Sequence, residues 1–443
     1  MANNRTMTLI EELRWRGMLQ DIMPGTEEQL SKEMTSAYIG FDPTSDSLHI
    51  GSLVPILLLV HLQKAGHKPF ALVGGATGMV GDPSGKSEER NLLSEDILLR
   101  NQEGVKKQLE RFLDFDATKP NAAEMVNNYD WFKEIDFLSF IRDVGKHITV
   151  NYMMSKDSVK KRIEGESGIS FTEFTYQLIQ GYDFYWLYKN KNCKLQMGGS
   201  DQWGNITTGT ELIRRKAGGE AFAFTCPLVT KADGGKFGKT EKGNIWLDSK
   251  KTSEFEFEQF WLNASDDDAK KWIKLFTLLS KEAIEALIAE HDAAPHLRSL
   301  QKKLAEELTV FVHGREAFEK NSRVKEGFFQ GNPVEFIINT DDIILENSGI
   351  PSNTYFTESI SLDNFEVPVV SMLAESGSFS SKGEAKKMIL GGGISINGVK
   401  IIDPNALITS KDLLKNKYVL VTKGKKNHIK TTVKISGNIP DDK

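Results

Sequence analysis

Ala37-Tyr-Ile-Gly-Phe-Asp-Pro-Thr-Ser-Asp-Ser-Leu-His-Ile-Gly-Ser-Leu-Val-Pro-Ile-Leu-Leu-Leu-Val-His-Leu-Gln-Lys-Ala65 decides the fold. Residues 37–41 form a short apolar run, a polar loop follows, and from residue 53 to 65 the apolar positions continue at the spacing of a buried helix. Pro55 falls in the first helical turn, where a missing N–H costs least. The same alternation recurs through the first 230 residues, with strands expected at 69–73, 193–197 and 221–225 and helices at 96–113, 171–188 and 205–216. Such alternation predicts an α/β domain, a parallel sheet covered by helices.

The texture changes after Asp248. From 252 to about 330 the chain is charged, with aromatic and Leu positions at helical spacing and no strand alternation, which predicts an all-helical domain. Gly331-Asn-Pro333 and the Ser, Asn and Thr-rich stretch 347–357 read as connector, with Pro351 breaking any helix. A small, basic α+β unit begins near Val367, with a helix at 382–390, a turn at Gly391-Gly-Gly393 and strands at 394–396 and 418–422. The expected division is catalytic domain 1–248, helical domain 249–345, linker 346–366 and C-terminal domain 367–443.

The 443 residues are 39% hydrophobic and 26% charged, with no apolar run near the ~18 residues of a membrane span. Cys193 and Cys226 are the only cysteines, and the amino terminus lacks the layout of a secretory signal, so a reducing, cytoplasmic location is expected. Two cysteines cannot build a cysteine-rich zinc site, and the eight histidines show no ligand spacing, so no metal site is expected. The formal charge of −5 argues against a chain that coats nucleic acid as a whole. Between Lys382 and Lys434, however, twelve lysines face three acidic residues, enough to neutralise phosphates locally.

The chemistry concentrates in the loops after the first strands, where open α/β sheets bind ligands. In the first loop Thr44 and His49 supply donors, backbone N–H groups favour phosphate, and Gly51 lets a base or ribose approach; His49 would equally serve as a turn cap. The second, Gly74-Gly-Ala-Thr-Gly-Met-Val-Gly-Asp-Pro-Ser-Gly-Lys86-Ser87, misses a Walker A motif by one residue, because Val80 stands where a glycine is required. Lys86 and Arg90 remain phosphate candidates, and Asp82 a partner for a substrate cation. On the helix at 171–188, Tyr176, Gln180 and Asp183 stand at i, i+4 and i+7, one polar stripe suited to a ligand with an amine and a hydroxyl, or to an ordinary wet surface. Gly198 and Gly199 allow close approach where Asp201 and Gln202 can accept from a ribose. Lys231-Ala-Asp-Gly-Gly-Lys-Phe-Gly-Lys-Thr240 is a glycine-lysine loop able to neutralise a triphosphate, or simply a solvated loop.

In this order the segments resemble a bacterial-type tyrosyl-tRNA synthetase, a class I aminoacyl-tRNA synthetase, over nearly the whole chain. His49-Ile-Gly-Ser52 looks like the class motif His-Ile-Gly-His, with Ser52 departing from its second histidine, and Lys236-Phe-Gly-Lys-Thr240 looks like the Lys-Met-Ser-Lys-Ser loop. Tyr38-Ile-Gly-Phe-Asp-Pro-Thr44, Gly81-Asp-Pro-Ser-Gly-Lys86 and Gly199-Ser-Asp-Gln-Trp203 make the resemblance specific, and Ser380-Ser-Lys-Gly-Glu-Ala-Lys-Lys387 resembles an S4-like RNA-binding domain.

The resemblance implies a Rossmann-like catalytic domain, a helical anticodon-binding domain, an S4-like module, and a homodimer whose interface lies near residues 131–155. It implies activation of L-tyrosine by Mg2+-ATP and transfer to tRNA(Tyr). Tyr38 and Asp183 would meet the phenolic hydroxyl, Asp82, Tyr176 and Gln180 the α-amino group, and Gln202 the carboxylate. Gly40, Asp42, Thr44, His49, Gly51 and Ser52 would meet the nucleotide, Gly199 and Asp201 its ribose, and Lys86, Arg90, Lys236, Lys239 and Thr240 its phosphates. Rival readings are a tryptophan enzyme or small-molecule adenylating enzyme of the same superfamily, and an RNA-binding protein with an inactive synthetase body. Against the first two, Tyr38 with Asp183 favours a phenol and the basic tail favours RNA; against the third speak intact His49, Lys236 and Lys239.

Overall fold

The computed structural model describes residues 7–82, 84, 93–165, 168–235, 237–240, 243–346, 348–357, 361–424 and 427–435. Lys86, Arg90 and Lys236 lie outside the described residues, as do the side chains of Lys239 and Thr240. The chain divides into two compact units, Met1–Thr252 with Phe260–Val312, and Ser253–Gln259 with His313–Lys443. The boundary falls inside the helical stretch expected at 249–345, so its helices are shared between the two units.

The first unit is built on a parallel sheet of β1 (Ser36–Phe41), β2 (Lys68–Val73), β3 (Glu124–Asn127), β4 (Cys193–Gly199) and β5 (Phe222–Cys226), in the order β3-β2-β1-β4-β5. The apolar runs read from the sequence are β1, β2, β4 and β5, which are buried along nearly their whole length. Helices Leu53–Lys64, Glu95–Leu109, Phe171–Lys191 and Trp203–Ala217 accompany the strands, as the alternation predicts. The edge strand β3 has only four residues, all half-buried, and Glu124 holds it through Lys68 and Lys191.

Helices Asp266–Phe276, Lys281–Ala293 and Ser299–His313 follow. Arg16, 3% exposed, donates to the carbonyls of Lys274 and Thr277 at 2.9 Å and of Leu279 at 2.6 Å, satisfying acceptors that a helix C-terminus leaves unpaired. No helix among the described residues is long and apolar enough to cross a membrane.

In the second unit the strands Val399–Ile401, Ile394–Ile396, Tyr418–Lys423, Asn427–Ile435 and Ser352–Thr357 form one sheet in that order. Helices Val369–Glu375 and Lys382–Leu390 supply Val369, Met372, Leu373, Ala385 and Ile389 to its core. Two expectations are corrected here. The stretch expected as linker carries Ser352–Thr357, which pairs in parallel with Asn427–Ile435 from Ser352↔Lys430 to Thr357↔Ile435. It is an edge strand with one wet face and needs only Tyr355 turned into the core, so its polar composition reads as coil. Pro333, expected in connector, opens the helix Pro333–Asn339, with Asn332 accepting from the N–H groups of Val334 and Glu335 at 3.1 and 3.4 Å.

Candidate active site

β1 stands between β2 and β4, so the chain order reverses beside it, and the loops leaving the carboxyl ends of β1 and β4 part around a crevice. A pocket of about 1100 Å³ opens there. β1 and the loop after it line this pocket with Tyr38, Gly40, Asp42, Thr44, His49, Gly51 and Ser52. The loop after β2 adds Asp82, the helix Phe171–Lys191 adds Tyr176, Gln180 and Asp183, and the turn after β4 adds Gly199, Asp201 and Gln202. The polar helix stripe thus faces a cavity and not bulk water.

The deep end is a network of buried polar groups. Asp183 accepts from the Trp131 indole N–H at 2.9 Å and the Asn128 amide at 3.0 Å. Burial pushes its carboxyl up to about 8, the two donors oppose that, and the charge of Asp42 adds to it. Tyr38 is 1% exposed, and its hydroxyl has no hydrogen-bond partner among the described residues. Burial, then the neighbouring Asp183, holds that phenol well above its ordinary pKa, so it presents a proton with nothing to receive it. Gln196, opposite Tyr38 on β4, likewise has a buried carbonyl oxygen without a partner among the described residues.

A second cluster surrounds Asp82, which accepts from the Gln202 amide at 2.6 Å and from the Ser84 backbone at 2.9 Å. Asn205 donates to Gln180 at 3.0 Å and lies 3.3 Å from both Gln202 and Ser84. Burial and the Asp82 charge raise the pKa of Asp201. Tyr176 donates to Asp42 Oδ2 at 2.8 Å and Thr77 donates to Oδ1 at 2.6 Å. Both carboxylate oxygens of Asp42, expected on the nucleotide, are therefore engaged by Tyr176 and Thr77.

His49 caps a turn, as one of its two readings expects. It lines the pocket and also caps the turn Ile50–Ser52, its Nδ1 accepting from the Gly51 N–H at 3.0 Å. A Cβ on Gly51 would stand 2.6 Å from that imidazole, so the glycine makes room for the histidine as well as for any ligand. Ile50 N–H donates to the Ile245 carbonyl at 3.0 Å, and Leu247 N–H to the Leu48 carbonyl at 2.9 Å, fastening this turn to the chain after the glycine-lysine loop.

Sequence reasoning passed over Thr77, Asn128, Gln196 and Asn205. Asn205 opens an expected helix but carried no assigned role, and Asn128 follows a strand too short to read as one.

Residues 30–330 match the family model "tRNA synthetases class I (W and Y)", and residues 352–430 match "Tyrosine--tRNA ligase SYY-like C-terminal domain". The tyrosine–tRNA ligase of Bacteroides thetaiotaomicron is 58% identical over 427 residues, covering 95% of this chain and 99% of the relative. The chain belongs to the class I tyrosine–tRNA ligases. A second member of this ligase family, from Flavobacterium johnsoniae, is 60% identical over 426 residues, covering 95% of this chain and 98% of the relative. Among solved structures, the C-terminally truncated mitochondrial tyrosyl-tRNA synthetase of Aspergillus nidulans superposes with a TM-score of 0.64 at 29% identity, covering 71% of this chain and 92% of that one.

Proposed function

We propose that this chain activates L-tyrosine with ATP, giving tyrosyl-adenylate and pyrophosphate, and transfers tyrosine to the 3′-terminal adenosine of tRNA(Tyr). The observation that carries the reading is the buried Tyr38 hydroxyl, without a partner among the described residues, beside Asp183 in a pocket that the His49 turn also lines. A substrate phenol there gives Tyr38 an acceptor and meets the Asp183 carboxyl. An aromatic substrate without the hydroxyl leaves buried polar groups unpaired.

Asp82, Tyr176 and Gln180 receive the α-amino group, with Asn205 and Asp42 orienting them. Gln202 stands by the carboxylate. Thr44, His49, Gly51, Ser52 and Gly40 face the nucleotide, Gly199 and Asp201 its ribose, and Asp42 acts through Tyr176. Lys86, Arg90, Lys236, Lys239 and Thr240 carry the phosphates, an assignment resting on the motifs alone.

The tyrosine carboxylate oxygen attacks the α-phosphorus, the bond to the β-phosphate oxygen breaks, and pyrophosphate leaves with the electron pair. No protein nucleophile is required. The chain's contribution is alignment and stabilisation of charge on the transferring oxygens. Among the described residues no cluster of three or more Asp, Glu, His or Cys side chains forms a metal cage. Mg2+ enters with the nucleotide substrate, held on its phosphates.

The tRNA contact is assigned to the helical domain expected at 249–345 and to the S4-like C-terminal domain, whose sheet takes in Ser352–Thr357, and the twelve lysines between 382 and 434 suit a phosphate backbone. A homodimer is proposed on the exposed apolar residues of the helices Phe137–Asp143 and Val150–Met154. Buried free thiols at Cys193 and Cys226 suit the cytoplasm. The deciding experiment is exchange of pyrophosphate into ATP with each amino acid supplied in turn. Exchange with tyrosine alone is expected; exchange with another amino acid, or none, overturns the reading.

A further inference from the structure

We infer that Phe237 is a positioning residue for adenylate formation, its ring held by Phe260, Trp261, Trp272 and Phe276 so that the glycine-lysine loop is fixed to the helical segment of its own unit. The inference rests on the function proposed above.

The Phe237 ring stacks on Phe276 at 5.2 Å and 14°, meets Trp272 edge-on at 5.1 Å, and lies 5.9 Å from both Phe260 and Trp261. Trp261, Trp272 and Phe276 are buried. A loop of glycines and lysines has no apolar anchor of its own, and Phe237 is its one large apolar side chain. The helix Asp266–Phe276 adds a polar tie, because Asp268 Oδ1 accepts from the Ala232 N–H at 2.8 Å. The loop is thus held to one helix by an aromatic contact at its centre and a hydrogen bond at its start.

The neighbouring residue faces the opposite way. Gly238 adopts φ +79°, and a Cβ there would stand 3.1 Å from Ile50 Cγ1 and 3.9 Å from the Gly51 nitrogen. Its carbonyl accepts from the Ile245 N–H at 3.1 Å, and the Ile245 carbonyl accepts from the Ile50 N–H at 3.0 Å. Two consecutive residues therefore join the helical segment, through Phe237, to the His49 turn, through Gly238. Packing in the helices fixes where the loop's backbone meets the nucleotide end of the pocket. Placement of that kind acts on the transition state more than on tyrosine binding, since the tyrosine end is built from other elements.

The test measures tyrosine-dependent pyrophosphate exchange and thermal unfolding for the parent chain, Phe237→Ala, Phe237→Met and Phe260→Ala. Phe237→Ala is expected to lower kcat by roughly tenfold to a hundredfold while KM for tyrosine stays within about twofold. Phe237→Met is expected to restore most of the rate, because a thioether side chain fills an aromatic cavity. Phe260→Ala, which leaves the loop sequence intact, is expected to shift kcat in the same direction. An unchanged kcat in Phe237→Ala, or a loss that appears equally as a raised KM for tyrosine, overturns the inference. Should Phe237→Ala fail to fold, an unchanged kcat in Phe260→Ala overturns it. A parent chain without exchange activity overturns the proposed function instead.

Discussion

The indole N–H of Trp131 donates to Oδ1 of Asp183 at 2.9 Å, and neither side chain is open to solvent. Asn128 occupies the other carboxylate oxygen at 3.0 Å. Burial nevertheless raises the carboxyl to about 8, whereas in the unfolded chain it titrates near ~3.9. Between those values the folded protein holds a proton that the unfolded chain has lost. The contribution to stability is full below the unfolded pKa and disappears as pH rises through about 8. Melting of the ligand-free protein from about pH 5 to about pH 9 should show that decline, and it should be shallower in Asp183→Asn. At the acidic end of that range the variant should be the less stable by about 1–3 kcal/mol, since one carboxamide oxygen cannot accept from both donors, and the gap should narrow as pH rises. A parallel pH slope in parent and variant contradicts the assignment.

Tyr38 is expected to serve the ligand and not the fold. Its hydroxyl has no partner among the described residues, so removing it strips no protein hydrogen bond. Tyr38→Phe is expected to melt at or slightly above the parent temperature while raising KM for tyrosine by about tenfold, the worth of one buried hydrogen bond. Measuring both quantities on one preparation separates a ligand contact from a packing role. A clear fall in melting temperature would show that the hydroxyl serves the fold.

Much of the fold was readable because strands and helices announce themselves locally. The runs that became β1, β2 and β5 are largely apolar, β4 alternates Cys193, Leu195 and Met197 with Lys194 and Gln196, and the stripe of Tyr176, Gln180 and Asp183 needs only helical spacing. The linkages among site residues were not readable. Tyr176 reaches Asp42 across 134 positions, and Asn128 reaches Asp183 across 55, distances over which periodicity says nothing. β3 and the strand Ser352–Thr357 were missed for a related reason. Each lies at a sheet edge and takes its stability from partners elsewhere, so neither carries an apolar run of its own.

Arg162 and Glu173 form a bidentate pair with both bonds at 2.7 Å, and both side chains are buried. Glu173 lies in the first turn of the helix that carries Tyr176, Gln180 and Asp183. Glu173→Gln leaves an arginine buried without its counter-charge and should cost about 3–5 kcal/mol in chemical denaturation. Replacing both residues by Met and Leu removes the charge and its desolvation together, and should recover most of that loss. If the double variant is as unstable as the single one, the pair is a source of net stability here and not merely a satisfied pair of charges.

Leu138 is 76% exposed, Phe137 65% and Val150 58%, on two helices close in sequence within the first unit. Isolated exposed apolar residues are ordinary, but Phe137 and Leu138 adjoin in sequence and both stand mostly in the open, which favours a covering partner. For a homodimer that partner is the same surface on a second copy, so one substitution acts twice in each interface. Leu138→Asp places two like charges across such a contact and should shift the protein to monomer in sedimentation at micromolar concentration. Leu138→Met should leave the dimer intact, because it keeps the volume and the apolar character. A Leu138→Asp protein that sediments as the parent does would remove this face from the interface.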